Sequence, residues 1–161
     1  MSIKTSLLFT VILFSSAAYS QDSIKLKKID ALVNLINTSG FKSQTDTIRN
    51  DQPQLGLSML TYLTVVTEGS ELKKYVNNLH GTRQENGTTK QMVTTNTFYF
   101  DHNKLIKVEE SGTQDDKKME MFWYYEDDKP IYYTLKSERA QERAEMLLTM
   151  AKTLLEKLGF K

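Results

Sequence analysis

The chain has 161 residues, of which 21 are Lys or Arg and 20 are Asp or Glu, so its formal net charge is +1. Nucleic acids and anionic membrane surfaces attract proteins with a basic excess, and this near-neutral balance argues against both as partners. The chain contains no cysteine, which excludes disulfides, thiolate metal sites, thiol catalysis and a lipid-anchored cysteine. One Trp, eight Tyr and seven Phe supply enough large side chains for one packed domain.

Residues 1–20 have the three-part layout of a cleaved secretory signal peptide. Lys4 supplies a positive start, residues 7–14 form an apolar run, and small residues precede a cleavage site that we expect after Ser20. The apolar run has about eight residues, whereas a helix that spans a bilayer needs about 20. A cleaved signal is therefore favoured over a membrane anchor. The expected mature chain begins at Gln21, is secreted or periplasmic, and does not associate with a membrane.

An amphipathic helix is predicted over 21–40, where Gly40 ends the pattern. Apolar residues recur at spacings of three or four, which places them on one helix face: Leu26, Ile29, Val33 and Ile36. The following segment, 41–56, is polar, contains Pro53 and has no periodicity. It is predicted to be a loop.

From about Leu57 the chain becomes rich in β-branched and aromatic residues, which predicts strands. Asn86-Gly87 is the strongest hairpin pattern, because both residues tolerate the positive φ angles of a tight turn. Short connections favour a meander, since parallel strands need long crossovers. The predicted strands are 60–67, 72–80, 94–100, 105–110, 119–126 and 131–136.

Helical periodicity returns after Ser137, a plausible N-cap, and stops at Gly159. The repeating apolar positions are Ala140, Ala144, Leu147, Ala151, Leu154 and Leu158. Further apolar residues broaden this stripe: Met146, Leu148, Met150 and Leu155. Core packing is expected for them, with a partner groove or a dimer contact as the alternative.

These elements predict an α+β fold, in which an antiparallel meander sheet of about five to six strands carries an N-terminal and a C-terminal helix packed on it. The sheet and the C-terminal helix occupy 57–161 and form one domain with the N-terminal helix.

Three hairpins share one scheme of β-formers, an acid, polar turn residues, a charge and an apolar residue. They lie at 66–72, 99–105 and 124–131. Turn chemistry explains most of this similarity. Over Tyr99 to Leu135 the chain resembles small exported proteins of Bacteroidota with Tyr-Phe/Tyr-Asp/Glu-x-x-Lys-Leu hairpins in a meandering sheet. It also resembles MORN-type hairpin repeats, although it lacks their glycines and regular period. Neither resemblance implies a catalytic residue.

No catalytic residue, metal ligand set or cofactor is predicted. His80 and His102 occur without HxH or HExxH spacing, and Asp101 beside His102 supplies at most half a site. Nucleophile elbows and glycine-rich phosphate loops are missing from the sequence. Glu109 and Glu110 are neighbours on a strand, so they are expected to point to opposite faces rather than to form a carboxylate pair.

Period-two alternation divides the predicted sheet into two faces. One face is expected to pack beneath the helices and to bury Trp123; it comprises Phe98, Phe100, Ile106, Val108, Met121, Trp123, Ile131, Tyr133 and Leu135. The opposite face is expected to be open. Cross-strand pairing explains its aromatic residues, and a ligand-binding role is the alternative. The candidate ligand-binding residues are Tyr99, Lys107, Phe122, Tyr124 and Tyr132.

Two main functions remain open from the sequence. The first is a non-catalytic binding module for a protein, peptide or glycan, or for a small ligand, and it is favoured because catalytic signatures are missing. The second is a hydrolase whose dispersed acidic residues converge in the fold. An inhibitor or immunity-type protein that acts on a protein partner is a third possibility.

Overall fold

The computed structural model of the chain describes residues 22–85, 87–114 and 117–160. The predicted signal peptide lies outside these residues. The fold is α+β, as predicted, with a seven-stranded antiparallel sheet whose strands follow chain order. The elements are α1 (22–38), β1 (Lys42–Gln52), β2 (Leu57–Glu68), β3 (Glu71–Glu85), β4 (Thr88–Asp101), β5 (Lys104–Gln114), β6 (Lys117–Glu126), β7 (Lys129–Tyr133) and α2 (Ala140–Leu158).

The sheet has one strand more than the six that were predicted. This additional strand is β1, which occupies most of the segment predicted to be a loop. It pairs with β2 from Lys42↔Thr67 to Gln52↔Leu57, and a 3-10 turn at Pro53–Leu55 joins the two strands. All residues of β1 except Gln52 are exposed. The loop prediction for 41–56 is therefore wrong. An edge strand without a buried face has no hydrophobic alternation to reveal it.

The three hairpins that share a sequence scheme also share a geometry. Two of their turns have positive φ at both central residues, namely His102-Asn103 and Asp127-Asp128, and the third has Gly69 at φ 58. In each hairpin the register shifts just after the turn, which leaves one extra residue in the returning strand. These bulge residues are Lys73, Ile106 and Ile131.

The bulges correct the predicted faces at two positions. Ile106 and Ile131 were expected to share the face of Trp123, but they pack on the opposite face against Tyr99 and Tyr124. A bulge places two successive side chains on one side of the sheet, so strict alternation fails there.

The two helices cover opposite faces of the sheet, and not a single face as the sequence had predicted. α2 covers the core that contains Trp123, Phe98, Val108 and Leu147. α1 covers the other face through its predicted apolar stripe, of which Ile29, Val33 and Ile36 are buried and Leu26 is partly buried. The half of the sheet formed by β1, β2 and the distal part of β3 has no buried hydrophobic residue among those described.

The predicted burial of Trp123 against the C-terminal helix is confirmed, since this side chain is fully buried in the α2 core. α2 ends as predicted at Gly159, whose φ is 79. The predicted stripe is buried at Ala140, Ala144, Leu147 and Ala151 and partly buried at Leu154, while Leu158 in the last turn of α2 is 40% exposed. Within the described residues, neither helix is long and apolar enough to cross a bilayer.

Candidate functional site

Three of the five predicted ligand-binding side chains lie beneath α1. Tyr99, Lys107 and Tyr124 are buried, Phe122 is half-buried and Tyr132 is 46% exposed. The expectation of an open face is wrong for the part that α1 covers. Ligand binding by this face stays a prediction, and only Phe122 and Tyr132 are accessible for it.

A hydrogen-bonded network joins α1 to the sheet beneath it. Lys107 Nζ donates to Asp30 at 2.9 Å, and the Tyr124 hydroxyl donates to the same carboxylate at 3.0 Å. Lys107 also pairs with Glu109 at 2.9 Å, and Glu109 accepts a bond from the Tyr99 hydroxyl at 3.1 Å. Both carboxylates that converge on this face therefore contact an ammonium group, and the network positions the helix.

The pKa shifts in this network agree with a structural role. Burial by itself lowers the pKa of Lys107, but its hydrogen bonds to Asp30 and Glu109 outweigh burial and hold the pKa above its ordinary value. Burial raises the pKa of Tyr99 to about 12. Neither side chain is poised to act as a base near neutral pH, because both hold their protons more tightly than usual.

A second buried network holds α2 on the other face. Trp123 donates its indole N–H to Glu110 at 2.8 Å, and the Arg143 guanidinium pairs with the same carboxylate. The Tyr125 hydroxyl donates to the Ala144 carbonyl at 3.0 Å. Glu109 and Glu110 thus point to opposite faces, as the sequence predicts.

An open cavity of about 530 Å³ lies between α2 and strands β3 and β4, and we call it the α2 groove. The residues that line it from the sheet are Tyr75, Asn77, Asn96 and Phe98. Those that line it from the helix are Met146, Thr149, Met150, Thr153, Leu154 and Lys157. The helical residues recur at spacings of three or four, so one edge of α2 forms the wall.

Two methionines on the helical wall distinguish this groove from ordinary core. Met146 and Met150 are 42% and 47% exposed. The expectation of core packing is therefore wrong for them, while Leu148 and Leu155 do pack against the core. The sequence showed an apolar stripe too broad for one contact, but only the position of α2 on the sheet decides which edge remains open.

The groove offers few polar groups. The hydroxyls of Thr149 and Thr153 donate to backbone carbonyls one turn earlier, at 3.0 Å each. The remaining polar groups are the Tyr75 hydroxyl, the amides of Asn77 and Asn96, two residues that lie opposite each other on β3 and β4, and the ammonium of Lys157. A mostly apolar lining with a few oriented polar groups is typical of small-molecule sites.

Apolar sheet surface continues beyond the groove. Tyr75 pairs with Val65, and Asn77 pairs with Leu63, so these β2 side chains share the groove's face. Leu79 lies two residues beyond Asn77 on the same face, and both Leu63 and Leu79 are only half-buried. A ligand longer than the groove could therefore extend onto the sheet.

The histidines lie outside the groove. His80 is exposed on β3, where its ring packs edge-on against Tyr62 with centroids 5.6 Å apart. His102 lies in an exposed turn, as predicted, and its Nδ1 is 3.0 Å from Glu71.

Glu71, Asp101 and His102 are the described side chains that could hold a cation, since their ligand atoms lie within 4.8 Å of one another. Lys73 Nζ, however, already contacts Glu71 at 2.5 Å. The negative charge of Glu71 is therefore already neutralised by an ion pair, and the cluster is an ion-pair network rather than a cation site.

Comparison of the chain with protein-family models, with curated proteins and with solved structures gives no match.

Proposed function

We propose that this chain is an exported, non-catalytic binding module whose ligand site is the α2 groove. The observation that carries the proposal is the pair of exposed methionines, Met146 and Met150, opposite the rings of Tyr75 and Phe98. A cavity of about 530 Å³ is within the range of small-molecule sites, about 300–1,000 Å³. Methionine side chains are flexible and polarizable, so they adapt to ligands of different shapes.

The chemistry of the lining favours binding over hydrolysis. Hydrolysis by dispersed acids would need carboxylates that converge on a cavity. None of the described residues that line the groove is acidic, and the hydroxyls of Thr149 and Thr153 donate to helix carbonyls. Asp30 and Glu109, which do converge, both contact Lys107 beneath α1.

A neutral fluorescent probe, N-phenylnaphthylamine, tests the groove directly, because its emission rises in apolar surroundings. We expect the wild-type protein to bind it and Met150→Glu to weaken binding at least about tenfold, since a charge in an apolar site costs more than about 1.4 kcal/mol. Met119→Glu is the matched control, because Met119 is 59% exposed on β6 and does not line the groove. Equal binding by both variants, each with an unchanged thermal midpoint, would refute the proposal.

Export is the second part of the proposal, and it rests on the signal-peptide layout of residues 1–20. The resemblance of the hairpins in the mature chain to exported Bacteroidota proteins agrees with it. Mass spectrometry of protein from the native host should find a mature chain that begins at or near Gln21. Recovery of the intact chain from Met1 in the cytoplasm would contradict export and would leave the groove proposal unaffected.

A further inference from the structure

We propose that the ligand of the α2 groove is an anionic amphiphile, with its apolar body along Met146, Met150 and Leu154 and its head group at Lys157. This inference rests on the proposed binding function and adds the charge and the orientation of the ligand.

Among the described residues that line the groove, Lys157 is the one charged residue, and it lies at one end. Met146 and Lys157 are separated by eleven residues, which corresponds to about 16 Å along α2. Between them the wall is formed by Met150, Leu154 and the two threonines, and the sheet side contributes Tyr75 and Phe98. An elongated ligand therefore meets apolar surface along most of its length and a cation at the end.

The charge of Lys157 is available to a ligand. Of the residues that the structure describes, none forms an ion pair with Lys157, whereas Lys152 on the same helix pairs with Asp128 at 3.0 Å. The adjacent carboxylate, Glu156, lines a different cavity together with Lys152. The other polar groups that the described residues place in the groove are neutral amides and hydroxyls, so Lys157 sets the sign of the charge that the groove prefers.

The position of Lys157 near the end of α2 does not cancel its attraction for an anion. Free carbonyls at a helix C-terminus carry partial negative charge. Here Gly159 N–H donates to the Glu156 carbonyl at 3.1 Å, and Phe160 N–H donates to the Leu155 carbonyl at 2.9 Å. These capping bonds satisfy two of the terminal carbonyls beside the lysine.

Two dyes that differ only by a sulfonate test this inference: anilinonaphthalene sulfonate, which is anionic, and N-phenylnaphthylamine, which is neutral. At low salt, Lys157→Gln should weaken binding of the anionic dye about five-fold and leave the neutral dye unchanged. Lys152→Gln, which removes the same charge from the same helix outside the groove, should change neither affinity. Added salt should reduce the preference for the anionic dye, because the head group is partly exposed.

Other outcomes overturn the inference in distinguishable ways. If the neutral dye binds and Lys157→Gln has no effect on the anionic one, the groove binds apolar ligands without regard to charge. If Lys152→Gln has the same effect as Lys157→Gln, general charge rather than the groove is responsible. If neither dye binds, the proposed function fails as well. A dimer that Met150→Glu dissociates would identify a second copy as the occupant.

Discussion

The Glu110–Arg143 ion pair can be broken by substituting either residue, and the two substitutions should lower the free energy of unfolding by different amounts. The Glu110 side chain is 6% exposed, whereas the Arg143 side chain is 37% exposed. Glu110 also accepts the indole N–H of Trp123 at 2.8 Å. The carboxylate is thus committed to the interior, while the guanidinium can reach water.

Glu110→Gln retains an oxygen for the indole N–H and leaves a guanidinium that water can hydrate. The free energy of unfolding should fall by about 1.5–3 kcal/mol, which is typical of losing one hydrogen bond to a charged group. Arg143→Met instead leaves the carboxylate buried with a single donor. Removing one partner of a buried pair costs about 3–5 kcal/mol, so this variant should be clearly the less stable one.

Urea unfolding followed by tryptophan fluorescence measures both values, because Trp123 is the only tryptophan and contacts Glu110 itself. Arg139→Met is a suitable control, since Arg139 precedes α2 and forms no ion pair among the described residues. It should change the free energy of unfolding by less than about 0.5 kcal/mol. Equal losses for Glu110→Gln and Arg143→Met, or the reverse order, would show that unequal burial does not govern this pair.

Two further predictions concern the core and the pH dependence. Trp123→Ala should lower the free energy of unfolding by about 3–5 kcal/mol, measured by circular dichroism, because this side chain is fully buried. Tyr132→Ala, at an exposed position, is the control and should cost less than about 1 kcal/mol. An equally small loss for Trp123→Ala would mean that the α2 core is wrongly assigned. The folded-state pKa values of Tyr99 and Lys107 lie above the ordinary 10.0 and 10.5, so the stability they contribute is complete below about pH 10 and is lost as the pH rises through about 12 for Tyr99. The thermal midpoint should fall steeply over that range together with the appearance of phenolate absorbance; a midpoint that does not change up to pH 12 would contradict the buried network.

Local patterns determined most of the fold. Helical spacing identified α1 and α2, including the buried faces at Ile29, Val33, Ala144 and Leu147. Short polar connections between β-rich segments identified the hairpins and implied a meander, which the strand order confirms. Helices and hairpins depend on residues that are close in sequence, so one sequence is enough to predict them. β1 escaped detection because an exposed edge strand is held by backbone hydrogen bonds that no side-chain pattern records.

The side of the sheet to which each helix docks was decided only by tertiary structure. Both sheet faces carry aromatic residues, so the apolar stripe of α1 could have packed on either face. The aromatic residues that were predicted to form an open binding face are largely the surface that α1 contacts. The bulges at Ile106 and Ile131 also move these two side chains to the opposite face of the sheet, and strict alternation does not predict this.

The α2 groove likewise exists only in three dimensions. The sequence determined that α2 has more apolar surface than one contact can bury, and it singled out Met146 and Met150 as part of that excess. Which edge of the helix stays open depends on the crossing of α2 over β3 and β4, and on the absence of a second described helix beside it on that face. Such long-range packing brings together Tyr75, Phe98 and Met150 from distant parts of the chain, and no local pattern encodes that meeting.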